Sequence, residues 1–146
     1  RHAIGFVVVS PLSPLFLNLS GRGGRGRMEA FPPVVCGNRC FMEKDYSAAI
    51  KHYTEALEED EENATILCNR SCAYFEMELY KTALKDADAA LAVEPDNVRA
   101  IDRKALALHS LGRRKDAQQQ WMNALLHVGG DLDVYSSIVA RLSGAP

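Results

Sequence analysis

No apolar run in this 146-residue chain reaches the roughly 18 residues that a membrane-spanning helix needs. Pro11, Ser13, Pro14 and Asn18 break up the N-terminal stretch that comes nearest. Catalytic patterns are equally scarce. His2, His52, His109 and His127 are scattered, with no His-x-x-x-His or paired-carboxylate arrangement of a catalytic kind. The glycines between 21 and 26 lack the strand-to-helix setting of a phosphate-cradling loop. These absences argue against an enzyme, a cofactor or a resident metal. With 47% apolar and 25% charged residues, the composition is that of an ordinary globular domain.

Acidic residues are missing altogether from the first 28 positions, which instead hold Arg1, Arg22, Arg25 and Arg27. The rest of the chain carries 13 basic against all 19 acidic residues, a formal charge of −6. Four readings of this break stay open: a signal peptide, an organelle transit segment, an arginine-glycine tail that touches RNA, or sequence foreign to the natural protein. A signal peptide wants a longer apolar segment than Ile4 to Val9, and a glycine-rich stretch cannot form the amphipathic helix of a transit segment. One arginine-glycine cluster is a weak sign of nucleic acid, so no nucleic-acid partner is expected. The chain begins with Arg1, while Met28 opens a segment of ordinary composition. Residues 1–29 are therefore expected to be disordered or aberrant, with Met28 as the functional start.

What the sequence does have is a 34-residue period. Gly37, Ser71 and Ala105 fall in one column, Ala49, Ala83 and Ala117 in a second, and Ala56, Ala90 and Ala124 in a third. Leu57, Leu91 and Leu125 share another, and Asn63, Asn97 and Asp131 recur at the same phase near segment ends. A repeat of this length marks a solenoid of helix pairs, with small residues where the helices cross. First helices are expected at about 35–42, 65–77 and 99–111, and second helices at about 46–58, 80–93 and 114–127. Tyr46, Ala49, Ile50, Tyr53, Ala56 and Leu57 follow the spacing of a single buried face. Behind Asp131 or Asp133, either of which suits a helix start, the stripe Leu132, Tyr135, Ile138, Val139 and Leu142 predicts a capping helix over 132–142.

The pattern resembles the tetratricopeptide repeat family over about residues 30 to 131. The columns that carry the resemblance are Gly37, Tyr46, Ala49, Tyr53 and Ala56, then Tyr74, Tyr80, Ala83, Ala90 and Pro95, then Gly112, Ala117, Trp121 and Ala124. It departs from the family where Pro33, Leu67 and Ile101 stand for an early aromatic, and where Glu61 stands for a closing proline. The implied fold is an all-α, right-handed α-solenoid. Its three repeats cover about 30–63, 64–97 and 98–131, followed by the capping helix and a tail at 143–146.

Two Cys-x-x-x-Cys pairs, Cys36 with Cys40 and Cys68 with Cys72, each lie on one helical face. Zinc or disulfide chemistry would need the pairs to share a centre, as in twin-cysteine helical hairpins, which place their pairs closer than the 27 residues that separate Cys40 from Cys68. In the repeat register the first pair faces a partner helix and the second the concave groove. The expectation is reduced, packed cysteines in a cytoplasmic protein.

The same register turns Val34, Asn38, Phe41 and Met42 toward the groove, with Cys68, Asn69, Cys72, Phe75 and Glu76 from the second unit. Arg99, Asp102, Arg103, Leu106 and His109 follow from the third. Arg99 and Arg103 are four apart and suit the two oxygens of a carboxylate, while Asn38 and Asn69 suit a peptide main chain. The words Gly37-Asn38, Cys68-Asn69-Arg70-Ser71 and Arg99-x-x-x-Arg103-Lys104-Ala105 resemble the carboxylate clamp of co-chaperone tetratricopeptide domains. That resemblance implies an adaptor binding the acidic C-terminal peptide of the seventy or ninety kilodalton heat-shock chaperones, acting as a monomer. Phe41, Cys72, Phe75 and His109 would then receive upstream side chains. Val34 stands where the clamp has a lysine, and Asp102 and Glu76 are expected to oppose an acidic peptide. The alternative is a scaffold in another assembly.

Overall fold

The computed structural model describes residues 31–144, so the expectations for residues 1–29 and for the end of the tail lie outside the described residues. Seven helices follow one another: α1 (Pro33–Met42), α2 (Tyr46–Glu59), α3 (Ala64–Glu76), α4 (Tyr80–Val93), α5 (Val98–Ser110), α6 (Arg114–His127) and α7 (Leu132–Leu142). Among the described residues all regular structure is helical, in consecutive antiparallel pairs that stack as a solenoid.

Cap chemistry sets the boundaries. Asn63, Asn97 and Asp131, one period apart, accept from the backbone N–H groups of Ile66, Ala100 and Val134 and so start α3, α5 and α7. Asp131, not Asp133, caps α7. α1 starts two residues earlier than the periodicity suggests, because Pro33 sits at the first turn, where its missing N–H costs nothing.

The turns inside each pair also repeat. Lys44, Glu78 and Gly112 take φ of 63°, 61° and 80°, the left-handed geometry that closes a helix. Behind each, Asp45, Leu79 and Arg113 donate across five residues to the carbonyls of Cys40, Tyr74 and Leu108. Only the third unit uses glycine for this position.

The small-residue columns are buried where helices cross. A Cβ added at Gly37 would lie 2.7 Å from Tyr53 Cε1, so the ring of α2 rests on the α1 backbone. The Ser71 hydroxyl donates to the Ala83 carbonyl at 2.8 Å, satisfying the polar group in the same column of the second unit. Two apolar clusters result. One gathers Tyr53, Leu57, Ile66 and Leu67, and the other Ile101, Leu108, Trp121 and Ile138, with Leu91 packed against both.

Arg70 of α3 joins three helices. Its guanidinium donates to both oxygens of Asp86 in α4, at 2.7 and 2.9 Å, and to Thr54 Oγ1 in α2 at 3.1 Å. The apolar stripe expected for α7 is only partly covered. Ile138 is buried and Leu142 half-buried, but Leu132 and Tyr135 are 78% and 49% exposed. Ile138 and Leu142 lie four residues apart on the face that meets α5 and α6, and Leu132 and Tyr135 lie on the neighbouring face.

Candidate functional site

Two hollows lie on the groove-forming helices. The first, of about 180 Å³, is lined by Asn38, Phe41 and Met42 of α1, Tyr53 of α2, and Asn69 and Cys72 of α3. Here the Tyr53 hydroxyl donates to Asn38 Oδ1 at 2.8 Å, and Asn69 Nδ2 donates to the same oxygen at 3.3 Å. The acceptor of Asn38 is thus occupied from two sides, and its Nδ2 donors are left for a ligand.

The second hollow, of about 430 Å³, lies between α5 and α7. Arg99 and Arg103 stand on its α5 side, and Val128, Val134 and Ile138 form its apolar floor. Neither arginine has a carboxylate partner among the described residues. Their charges reach the cysteines of α3 and oppose the upward shift of the Cys68 and Cys72 thiols, while Glu76 and Asp102 add to it at Cys72. Burial nonetheless dominates, pushing Cys68 up to about 11 and raising Cys72, so both remain thiols at neutral pH.

Among the residues expected to form the site, the structure brings Asn38, Asn69, Phe41 and Cys72 into one hollow and Arg99 with Arg103 into the other. Phe75 is half-buried and meets Tyr80 edge-on, with ring centroids 5.2 Å apart, so it packs inside its own unit. His109 lies over Trp121 at 5.8 Å and lines a third recess with Arg114 and Arg141. Neither joins Phe41 and Cys72. Val34 packs against the core and supplies no charge.

Asp102, expected to oppose an acidic ligand, is engaged by two donors. Its Oδ1 accepts from Trp121 Nε1 at 3.0 Å and from the Arg141 guanidinium of α7. Sequence reasoning missed Arg141, which is 39 residues from its partner. Glu76 is exposed, as the register requires.

Among the described residues, no cluster of three or more histidines, cysteines, aspartates or glutamates is arranged to hold a metal, and the four cysteines are free. No described helix is long and apolar enough to cross a membrane. The site offers guanidinium, amide and apolar surfaces, which suit binding of a peptide.

No family model matches the chain. It is similar to zinc finger CCCH domain-containing protein 7B of Homo sapiens, 40% identical over 95 residues, which cover 57% of this chain and 10% of that protein. It is also similar to the heat shock protein sti1 homolog of Schizosaccharomyces pombe, 38% identical over 91 residues, covering 62% of this chain and 15% of that protein. The chain therefore matches only a small part of either relative's length. Among solved structures, the second TPR domain of human RPAP3, in complex with the HSP70 peptide SGPTIEEVD, is 30% identical with a TM-score of 0.65. The match covers 77% of this chain and 96% of that domain. Capped helix pairs at a 34-residue period, small residues at the crossings and this likeness along nearly the whole of a single domain agree: the chain belongs to the tetratricopeptide repeat family.

Proposed function

We propose that this domain is a peptide-binding adaptor that grips the C-terminal carboxylate of an acidic peptide, such as the Glu-Glu-Val-Asp terminus of heat-shock chaperones. The observation that carries the reading is the pair Arg99 and Arg103, one turn apart on α5 and free of carboxylate partners among the described residues. Arginine holds a carboxylate through two parallel hydrogen bonds, and two arginines on one face present a matched set of donors. Asn38 Nδ2, its orientation fixed by Tyr53 and Asn69, would bond the peptide main chain. Phe41 and Cys72 would receive a side chain upstream. The RPAP3 domain holds an HSP70 peptide that ends in EEVD, which supports the same ligand here. Binding rather than catalysis is the activity, and a monomer in the cytoplasm goes with it.

Val34 favours a second reading, a scaffold for a partner that offers no free terminus. A hydrogen bond to a charged group contributes about 1.5 to 3 kcal/mol, and micromolar binding amounts to about 8 kcal/mol in all. Losing the cation at position 34 therefore removes a sizeable share.

Titration calorimetry with a peptide ending in Glu-Glu-Val-Asp, run beside its amidated form, tests both. Binding abolished by amidation supports the clamp, and no binding to either form supports the scaffold. Arg103→Ala should weaken the peptide about tenfold, while Lys115→Ala, on the exposed start of α6, should change it less than about twofold. Equal effects would remove Arg103 from the site.

A further inference from the structure

Asp102 follows Arg99 by three residues on α5 and lines the same hollow. Residues three apart on a helix are neighbours, so Asp102 is the carboxylate best placed to quench Arg99 from its own helix. It does not do so, because Trp121 of α6 and Arg141 of α7 both donate to its Oδ1. Its side chain is 14% exposed, which leaves water little part in screening its charge. The other acids of the hollow are Asp131 and Asp133. Both stand at the start of α7, where the helix dipole favours negative charge, and Asp131 is spent on capping backbone N–H groups. Asp102 is thus the acid whose disposition decides how positive the α5 face is.

We propose that Arg141 is a positioning residue of the peptide site. From the last turn of α7 it holds Asp102 against Trp121 and cancels its charge, so that Arg99 and Arg103 stay available to a ligand carboxylate. Without Arg141, Trp121 alone holds Asp102, and the carboxylate, no longer offset by a cation, competes with a ligand for Arg99 one turn away and repels an acidic peptide. In this arrangement α7 is part of the binding site as well as a cap. The inference rests on the clamp reading given above, and its test separates the two.

The test is calorimetry of the full chain with the peptide ending in Glu-Glu-Val-Asp, using Arg141→Ala and the double variant Arg141→Ala/Asp102→Asn. The single variant should bind about tenfold more weakly. The double variant should return to within about twofold of the parent, because asparagine keeps the acceptor for Trp121 but has no charge. A double variant as weak as the single one overturns the proposal, since α7 would then serve only as structure. Should Arg141→Ala fail to fold, Arg141→Gln keeps a donor to Asp102 without the charge, and the same rescue is measured. If the parent does not bind the peptide, the clamp reading fails, and the role of Arg141 is read from thermal unfolding instead. Coupling between Arg99→Ala and Asp102→Asn should then appear only in the Arg141→Ala background, and equal coupling in both backgrounds overturns the proposal.

Discussion

Tyr53 of α2 donates its hydroxyl to Asn38 Oδ1 of α1 at 2.8 Å, with its ring seated on the bare backbone of Gly37. The small residue at the helix crossing and the orientation of a groove amide thus depend on one side chain. Removing the hydroxyl in Tyr53→Phe leaves the packing intact but lets the Asn38 amide rotate. The loss should be about 1 kcal/mol of stability, measured by urea unfolding. Peptide affinity should fall a few fold in calorimetry, and an unchanged affinity would mean that Asn38 is oriented by Asn69 alone.

Arg70 and Asp86 form a two-pronged ion pair between α3 and α4, with Asp86 only 7% exposed. The carboxylate beside it holds the Arg70 guanidinium charged beyond its ordinary range. Arg70→Ala strands a buried carboxylate and should cost about 3 kcal/mol in urea unfolding. Arg70→Lys should recover less than half of that, because an ammonium cannot bond both oxygens in the fork geometry.

Glu78 holds φ at 61° in the turn between α3 and α4, where the third repeat has Gly112. A side chain in left-handed geometry costs about 1 to 2 kcal/mol, partly offset by the greater freedom of glycine in the unfolded chain. Glu78→Gly should therefore raise stability by roughly 0.5 to 1 kcal/mol, visible as a higher thermal midpoint. A lower midpoint would show that the Glu78 side chain makes contacts worth more than the strain.

Alkaline pH should unfold the domain through two buried acids. Burial first, then the charges of the Cys72 and Cys40 thiolates, push Tyr53 up to about 12 from 10.0, and burial pushes Cys68 up to about 11 from 9.0. Both pKa values are higher in the folded chain, so the fold favours the neutral forms. The stability from these groups is complete below about pH 9, falls as the unfolded chain ionises first, and is gone once pH passes the folded values. Each group should contribute a slope of about 1.4 kcal/mol per pH unit within its own window, in unfolding followed from pH 8 to 12. Tyr53→Phe should flatten the upper part of that curve.

The sequence by itself determined the repeat. Its 34-residue period located the helices to within a residue or two, because cap residues and crossing sizes act locally and leave a mark at fixed spacing. The family followed from the same columns, and so did the one-turn spacing of Arg99 and Arg103. Tertiary structure alone decided which side chains meet. Asp102 reads in the sequence only as an acid facing the groove, and its partner Arg141 comes from 39 residues away on α7. Phe75 and His109 share the groove register, yet Tyr80 and Trp121 hold them within their own helix pairs. Periodicity says which face a residue occupies, but the partner on that face is chosen by rotamers and by the helices that happen to stack against it.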